Sequence, residues 1–178
     1  MRALRLHGQH DIRLEQTPIP SCGPSEVRIK PALVGICGTD VHEWSRGPTL
    51  VPTKAHVLTG CKAPITLGHE ICGVVEEVGC EVDDIEPGQH VVVQPILADQ
   101  TCRACLLGNI NVCRQQGFVG LSKDGGLADY LVVKRQNLEV LPAHVPLELG
   151  GMFSNQLPSE RVREALILYR SFVLTILL

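Results

Sequence analysis

The sequence predicts a mainly β fold for most of the chain, and three observations support this. Glycine and proline are frequent, at 17 and 12 of 178 residues, which favours short strands joined by turns over a helical bundle. Hydrophobic residues make up 44% of the chain but aromatic residues only 3%, so the core has to be built from Val, Leu and Ile. Up to about residue 141, short β-type runs are bounded by Gly, Pro, Asp or Ser.

These runs predict seven strands and one short helix. In chain order, strands are expected at residues 3–6, 12–15, 27–34, 72–78, 90–94, 128–133 and 138–141. The segments "EVRIK" and "DYLVV", in the third and sixth runs, are rich in β-branched residues. A helix is expected at residues 40–44, capped by Thr39 or Asp40, because their side-chain oxygens can accept hydrogen bonds from the first free N–H groups.

The character of the sequence changes near residue 150, so we expect one domain over residues 1–150 and a divergent tail over residues 151–178. Ser159 can cap a helix with Glu160 in its first turn, which predicts a helix that continues to Leu178. Its apolar residues cover nearly the whole circumference, so such a helix has to be buried or paired. The alternative is a tail without evolved structure, produced by a shifted reading frame or a retained intron.

Charge and composition exclude several classes of partner. The chain has 16 Lys and Arg against 19 Asp and Glu, with no basic cluster, so nucleic acid and anionic membrane surfaces are not expected as partners. The longest apolar run is too short to span a membrane. The first residues do not form a signal peptide, so we expect a cytoplasmic protein. The chain has eight cysteines, and cysteines in that compartment are interpreted first as metal ligands or catalytic groups rather than as disulfides.

Two segments provide a ligand set for a catalytic metal. The first, "GICGTDVHE", supplies Cys37, Thr39, Asp40 and His42, and the second, "LGHEICGVVEEVGCEV", supplies His69 and Glu70. A thiolate, an imidazole and a carboxylate are a normal ligand set for Zn²⁺. Three protein ligands also leave the fourth tetrahedral position open to water or substrate.

A third segment brings one carboxylate and three cysteines close together in the sequence. It reads Asp99-x-x-Cys102-x-x-Cys105-x7-Cys113. A carboxylate can ligate zinc, and three thiols on one loop repel one another as thiolates unless a cation neutralises them. We therefore expect zinc here, and the alternative is a metal-free lobe in which Asp99 is a turn residue. Among the other cysteines, Cys72 is expected in the core.

A glycine frame around His69 carries a resemblance to a known family. Gly68, Gly73 and Gly79, together with Val82, match the signature of the zinc-type alcohol dehydrogenases position for position. The segment "GICGTDVH" is similar to the cysteine loop of that family, and three of the four cysteines of its structural zinc lobe are present. Residues 1–150 thus resemble the zinc-containing medium-chain alcohol and polyol dehydrogenases, and are most like the 2,3-butanediol dehydrogenases, neighbours of sorbitol dehydrogenase.

The resemblance implies a GroES-like β-barrel catalytic domain with short helices and a zinc lobe. It implies that Cys37, His69 and Glu70 hold a catalytic zinc. Thr39 would then hydrogen-bond the hydroxyl of a small alcohol or diol, and His42 would complete a proton relay to solvent. Just after "LELG" the family usually offers another carboxylate near the metal, where this chain reads "GMFSNQ". If Glu70 is a direct ligand, that departure removes only an outer contact; if not, the zinc has lost a ligand.

The family also implies NAD(P) as the hydride acceptor. No Gly-x-Gly-x-x-Gly follows a strand, so no Rossmann domain is expected in this chain. We therefore expect the catalytic half of a dehydrogenase that is inactive alone. The alternative is a non-catalytic zinc-binding fragment, or a module that needs a partner chain with the cofactor domain. The family buries one flank of this domain against the cofactor domain, so self-association through that exposed flank, or through the tail, is a further expectation.

Overall fold

A curved antiparallel sheet forms the centre of the molecule. The computed structural model describes residues 1–142 and 145–147. In these residues the strands are β1 (Arg2–Gly8), β2 (Asp11–Gln16), β3 (Glu26–Gly35), β4 (Ile65–Thr66), β5 (Glu70–Val78), β6 (His90–Val93), β7 (Ile96–Leu97), β8 (Gly117–Phe118), β9 (Leu131–Lys134) and β10 (Leu138–Val140). The α-helices are α1 (Gly38–Arg46) and α2 (Arg103–Leu106), and 3₁₀ turns cover Ile110–Val112 and Arg135–Asn137.

The strands form three sheets. The largest has the order β10-β6-β5-β3-β9, with every pair antiparallel. β1 pairs with β2 on one side and with β4 on the other. β7 and β8 pair with each other and close a loop that contains α2 and the first 3₁₀ turn. This loop is a separate lobe at the side of the main sheet.

The core is aliphatic, as the composition predicts. Its largest cluster consists of eleven buried residues: Val27, Ile29, Ile71, Val75, Ile85, Val91, Val93, Val119, Leu131, Val133 and Leu138. A second cluster packs Leu6, Val51, Ile65, Leu67 and Leu121 beneath the small sheet. Cys72 is fully buried in a third cluster with Val92, Leu141 and Val145, which confirms its predicted place in the core.

The mainly β prediction is confirmed, with differences in detail. Each of the seven predicted strands has an observed counterpart, but the one expected at 128–133 begins only at Leu131, because Ala128 makes just an isolated bridge to Ala3. The helix begins earlier than predicted and Cys37 is its N-cap, so the expected cap at Thr39 or Asp40 is wrong.

Several short elements were not predicted. β4, β7 and β8 have two residues each and α2 has four, which is too short for a hydrophobic period to be visible. The predicted helical tail at residues 151–178 lies outside the described residues. No helix in the described part of the chain is long and apolar enough to cross a membrane.

Candidate functional site

The pairing of β3 with β5 brings the two predicted ligand segments together. Gly35, the last residue of β3, is the register partner of Glu70, the first residue of β5. Because the strands are antiparallel, the residues just beyond these ends meet at the same edge of the sheet. Cys37 follows β3 and His69 precedes β5, so ligands that are more than thirty positions apart in sequence become neighbours.

The three side chains fit a metal ion. The ligand atoms of Cys37, His69 and Glu70 all lie within 4.8 Å of one another. His69 is buried, and its Nδ1 has no hydrogen-bond partner apart from a carboxylate at a longer distance. A soft thiolate, an imidazole and a carboxylate in one group are the donor types that Zn²⁺ accepts.

Asp40 connects the two ligand segments, a role that the motifs did not indicate. Its Oδ2 accepts the N–H of Cys37 at 2.9 Å, and its Oδ1 accepts the N–H of Gly68 at 3.4 Å. The same Oδ1 lies 3.5 Å from Nδ1 of His69. A carboxylate beside one ring nitrogen orients the imidazole and leaves Nε2 as the nitrogen available to a metal.

The electrostatics of the group favour a thiolate at Cys37 and a positive charge at the His69 ring. The backbone N–H of Thr39 lowers the pKa of the Cys37 thiol against the effect of burial, and His69 adds to the shift. The thiolate is the form of cysteine that ligates metals. Asp40 raises the pKa of His69 to about 9, with Cys37 as a further cause and burial opposing the shift. A thiolate and a carboxylate beside the ring therefore stabilise positive charge at this position.

Glycines hold the His69 segment in place, and one of them, Gly68, belongs to the predicted frame. Gly68 has a φ of +92°, a conformation that side chains with a Cβ rarely adopt. A Cβ on Gly120 or Gly125 would collide with the carbonyl of Gly68, so both glycines are needed for this close approach. The N–H of Gly126 donates to the same carbonyl at 2.9 Å. The sequence motifs did not single out the glycines at 120, 125 and 126.

Thr39 and His42 share an open cleft on α1. Oγ1 of Thr39 lies 3.7 Å from Sγ of Cys37, so the hydroxyl is next to the candidate metal site. His42 is one helical turn further along, is exposed, and lines the same cleft. Thr49 and Leu50 form another part of its lining. The structure therefore places both predicted catalytic residues in one space beside the ligand group.

Glu43 is a further polar residue of this region that motif analysis missed. It is fully buried on α1, one position after His42. Burial alone would raise the pKa of its carboxyl, but hydrogen bonds from Thr49, Leu50 and Val51 outweigh that effect and lower it. The only sequence signal is an acidic residue on the helix face that also carries the buried Asp40.

The side lobe brings its four predicted ligands together. The ligand atoms of Asp99, Cys102, Cys105 and Cys113 lie within 4.8 Å of one another. Sγ of Cys102 is 3.5 Å from Sγ of Cys105, and Sγ of Cys113 accepts the N–H of Asp99 at 3.4 Å. Oδ1 of Asp99 also accepts the N–H groups of Thr101 and Cys102, as a turn residue would. Its second oxygen makes Asp99 a possible ligand at the same time.

The pKa shifts of the lobe residues show what a bound cation would contribute. Burial, with Asp99 and the neighbouring thiols, raises the pKa of Cys105 to about 12. Backbone N–H groups lower the pKa of Asp99. One carboxylate and several thiols in contact cannot all be ionised without a positive charge among them. A bound divalent cation would supply that charge, and the donor set of one oxygen and three sulfurs suits zinc.

The family profile of the alcohol dehydrogenase GroES-like domain matches residues 23–143. This match confirms the fold that the resemblance implied. (R,R)-Butanediol dehydrogenase of Neisseria gonorrhoeae is 40% identical over 155 residues, covering 85% of this chain and 44% of that protein. Galactitol 1-phosphate 5-dehydrogenase of Escherichia coli is 40% identical over 141 residues, covering 79% of this chain and 38% of that protein.

A solved structure gives the same result. The crystal structure of 2R,3R-butanediol dehydrogenase from Bacillus subtilis superposes with a TM-score of 0.79 at 40% identity, over 85% of this chain and 43% of that chain. The chain therefore spans less than half the length of the relatives it matches.

Proposed function

The chain belongs to the zinc-containing medium-chain alcohol dehydrogenases, and from this premise we propose that it is the zinc-binding catalytic domain of an NAD(P)-dependent alcohol or diol dehydrogenase. One observation carries the proposal. The ligand atoms of Cys37, His69 and Glu70 form one group, and Thr39 and His42 line a cleft beside it. The substrate class we favour is a small uncharged diol such as 2,3-butanediol, or a polyol.

Each residue of the site has a part in this chemistry. Cys37, His69 and Glu70 would hold Zn²⁺, which when bound supplies a Lewis acid for the substrate oxygen. The Thr39 hydroxyl would accept the proton of the substrate hydroxyl while it releases its own toward His42, and it would orient the substrate oxygen. His42, which is exposed in the same cleft, would take up that proton on a ring nitrogen and release it to solvent. Asp40 keeps the His69 ring in one orientation.

The second metal and the nicotinamide complete the proposal. Asp99, Cys102, Cys105 and Cys113 would hold a structural zinc, which gives two zinc ions per chain. NAD(P) supplies the hydride acceptor, and the domain that binds it is not among the described residues. The chain alone would therefore be inactive, because no acceptor is held at reacting distance.

A second candidate is a zinc-binding module that works only with a partner chain carrying the cofactor domain. The observation that favours it is the exposure of apolar side chains near the ligand group. Leu33, Ile36 and Leu50 are 43%, 73% and 59% exposed near the ligand group. Exposed apolar side chains of this kind mark interaction sites, so the same flank, or the tail, is the proposed surface for self-association.

Composition and cysteine state support the proposed cytoplasmic location. All eight cysteines are free, which suits a reducing compartment. The acidic balance of the chain supports neither nucleic acid nor anionic membrane as a partner. A fractionation of the native host cell, probed for this chain, would contradict the proposal if the chain were found outside the cytosol.

A chimera tests the proposed activity. Residues 1–150 are joined to the remaining part of the Bacillus subtilis butanediol dehydrogenase, and reduction of NAD⁺ by 2,3-butanediol is followed. We expect turnover that is lost with Cys37→Ser but kept with Cys80→Ser, since Cys80 is exposed and outside both ligand groups. The chain alone is expected to give no turnover. A folded chimera that holds zinc but oxidises neither diols nor polyols would contradict the proposal.

A further inference from the structure

Glu43 is a buried carboxylate without a cation beside it in the described residues. It has 0% exposure, and its surroundings contribute hydrogen bonds rather than charge partners. A buried ionised group is stable only when its oxygens are well provided with donors. The stability of the ionised Glu43 therefore depends on the groups that donate hydrogen bonds to its two oxygens.

All four donors come from one short loop. Oε2 of Glu43 accepts the N–H of Thr49 and the N–H of Val51, both at 3.0 Å. Oε1 accepts the N–H of Leu50 at 2.8 Å, and the Thr49 hydroxyl donates to the same oxygen. Three consecutive backbone N–H groups are thus satisfied by one side chain, where a strand or helix would otherwise satisfy them.

This loop connects the cleft with the core. Val51 is 2% exposed and belongs to the cluster beneath the small sheet. Thr49 and Leu50, just before it, line the cleft that Thr39 and His42 also line. Loop residues without regular hydrogen bonds open easily unless something holds them. Glu43 supplies that hold from the helix on which Thr39 and His42 lie.

We propose that Glu43 is a positioning residue for this cleft: by binding the N–H groups of residues 49–51, it keeps the Thr49–Leu50 wall opposite Thr39 and His42. The proposal rests on the proposed function only in taking the cleft as the place of the substrate. Glutamine is not an adequate replacement, because its NH₂ group would face donors where Glu43 presents an acceptor.

Amide hydrogen exchange of the zinc-loaded full chain tests the loop directly. In the wild type, the amides of residues 49–51 should exchange at least about 100-fold more slowly than the amide of Lys54, as expected for bonded groups. In Glu43→Gln, exchange at 49–51 should accelerate by at least about 10-fold, while the amide of Val75 is unchanged. Glu76→Gln, on an exposed carboxylate, is the matched control.

Three outcomes overturn the proposal. The first is a wild type in which residues 49–51 exchange as fast as Lys54, a result that does not depend on the variant folding. The second is a Glu43→Gln variant in which the loop amides and Val75 accelerate equally, because that indicates general destabilisation. The third is accelerated loop exchange without any change in the Thr39 methyl resonance, since the wall would then not act on the cleft.

Titration with 2,3-butanediol separates this proposal from the proposed function. We expect the Thr39 resonance to shift on saturation in the wild type, with an apparent Kd at least about 10-fold higher in Glu43→Gln. A wild type that shows no diol-dependent change contradicts the proposed function alone, because the exchange experiment contains no substrate. Equal Kd values in the two proteins contradict the positioning role.

Discussion

Gly35→Ala is expected to weaken the catalytic metal site without altering a ligand. Gly35 is the register partner of Glu70. A Cβ at this position would collide with Oε2 of Glu70 and would stand 3.0 Å from its Cβ and 3.3 Å from its Cδ. The φ of Gly35 is not in the left-handed region, so alanine is strained here only by the collision.

The size of the effect follows from which atom has to move. The carboxylate oxygen is the nearest, so relief of the collision takes one of three donors out of the ligand group. Loss of an outer partner of a metal ligand already costs about 10- to 100-fold in affinity, so at least 10-fold weaker binding is expected. An additional methyl group in a packed position also costs roughly 1–3 kcal/mol of stability.

Competition with a chromophoric chelator measures the affinity of each zinc. Gly38→Ala is the control, because this position adjoins Cys37 and an added Cβ meets nothing within 4 Å. We expect one of two zinc ions to bind more weakly in Gly35→Ala, and both to bind normally in Gly38→Ala. Equal affinities in the two variants would show that Glu70 is not a ligand, and equal weakening of both zinc ions would show that the damage is general.

Three further predictions concern zinc content, pH and the tail. Elemental analysis should find two zinc ions per folded chain, one lost in Cys37→Ser and the other in Cys105→Ser; zinc-free folded protein would contradict both sites. The pKa of Glu43 is lowered on folding, so its contribution to stability is present above about pH 4.5 and is lost as the pH falls through the pKa of the folded state. The difference in unfolding free energy between wild type and Glu43→Gln should therefore shrink from pH 6 to pH 3. Deletion of residues 160–178 should lower solubility and melting temperature if the tail covers the exposed flank, and unchanged values would identify the tail as a passenger.

Motifs predicted the candidate ligand residues that the fold brings together, but not the residues that orient them. Cys37, His69 and Glu70 were visible because a ligand type at a given spacing is a local signal. Asp40 was visible as part of the same segment, but its link to Gly68 depends on how β3 and β5 pair. That pairing contains register shifts, and a shift of one residue moves every side chain to the other face. The register between β3 and β5 cannot be predicted from the sequence of either strand alone.

The helix and the loop after it illustrate the same limit. The sequence predicted that the hydroxyl of Thr39 or the carboxylate of Asp40 would cap the N-terminus of α1. In the structure Cys37 is the N-cap, and the carboxylate of Asp40, the third helical residue, accepts its N–H. The role of Glu43 was not predictable, because an acidic residue on a short helix usually faces solvent. Only the burial of α1 against the loop makes that carboxylate a hydrogen-bond acceptor for three consecutive N–H groups.

The two candidate metal sites depend on different levels of the structure. The lobe ligands lie within fifteen positions of one another, in a loop closed by β7 and β8, so local chain geometry is enough to assemble them. Cys37 and Glu70 meet only when β3 and β5 are paired in register, which requires the main sheet and its aliphatic core. Because loop closure over a longer segment costs more entropy, the catalytic group should be the first to separate as the sheet is destabilised. Both groups, however, are complete within residues 1–142, so we expect metal binding to need only this part of the chain.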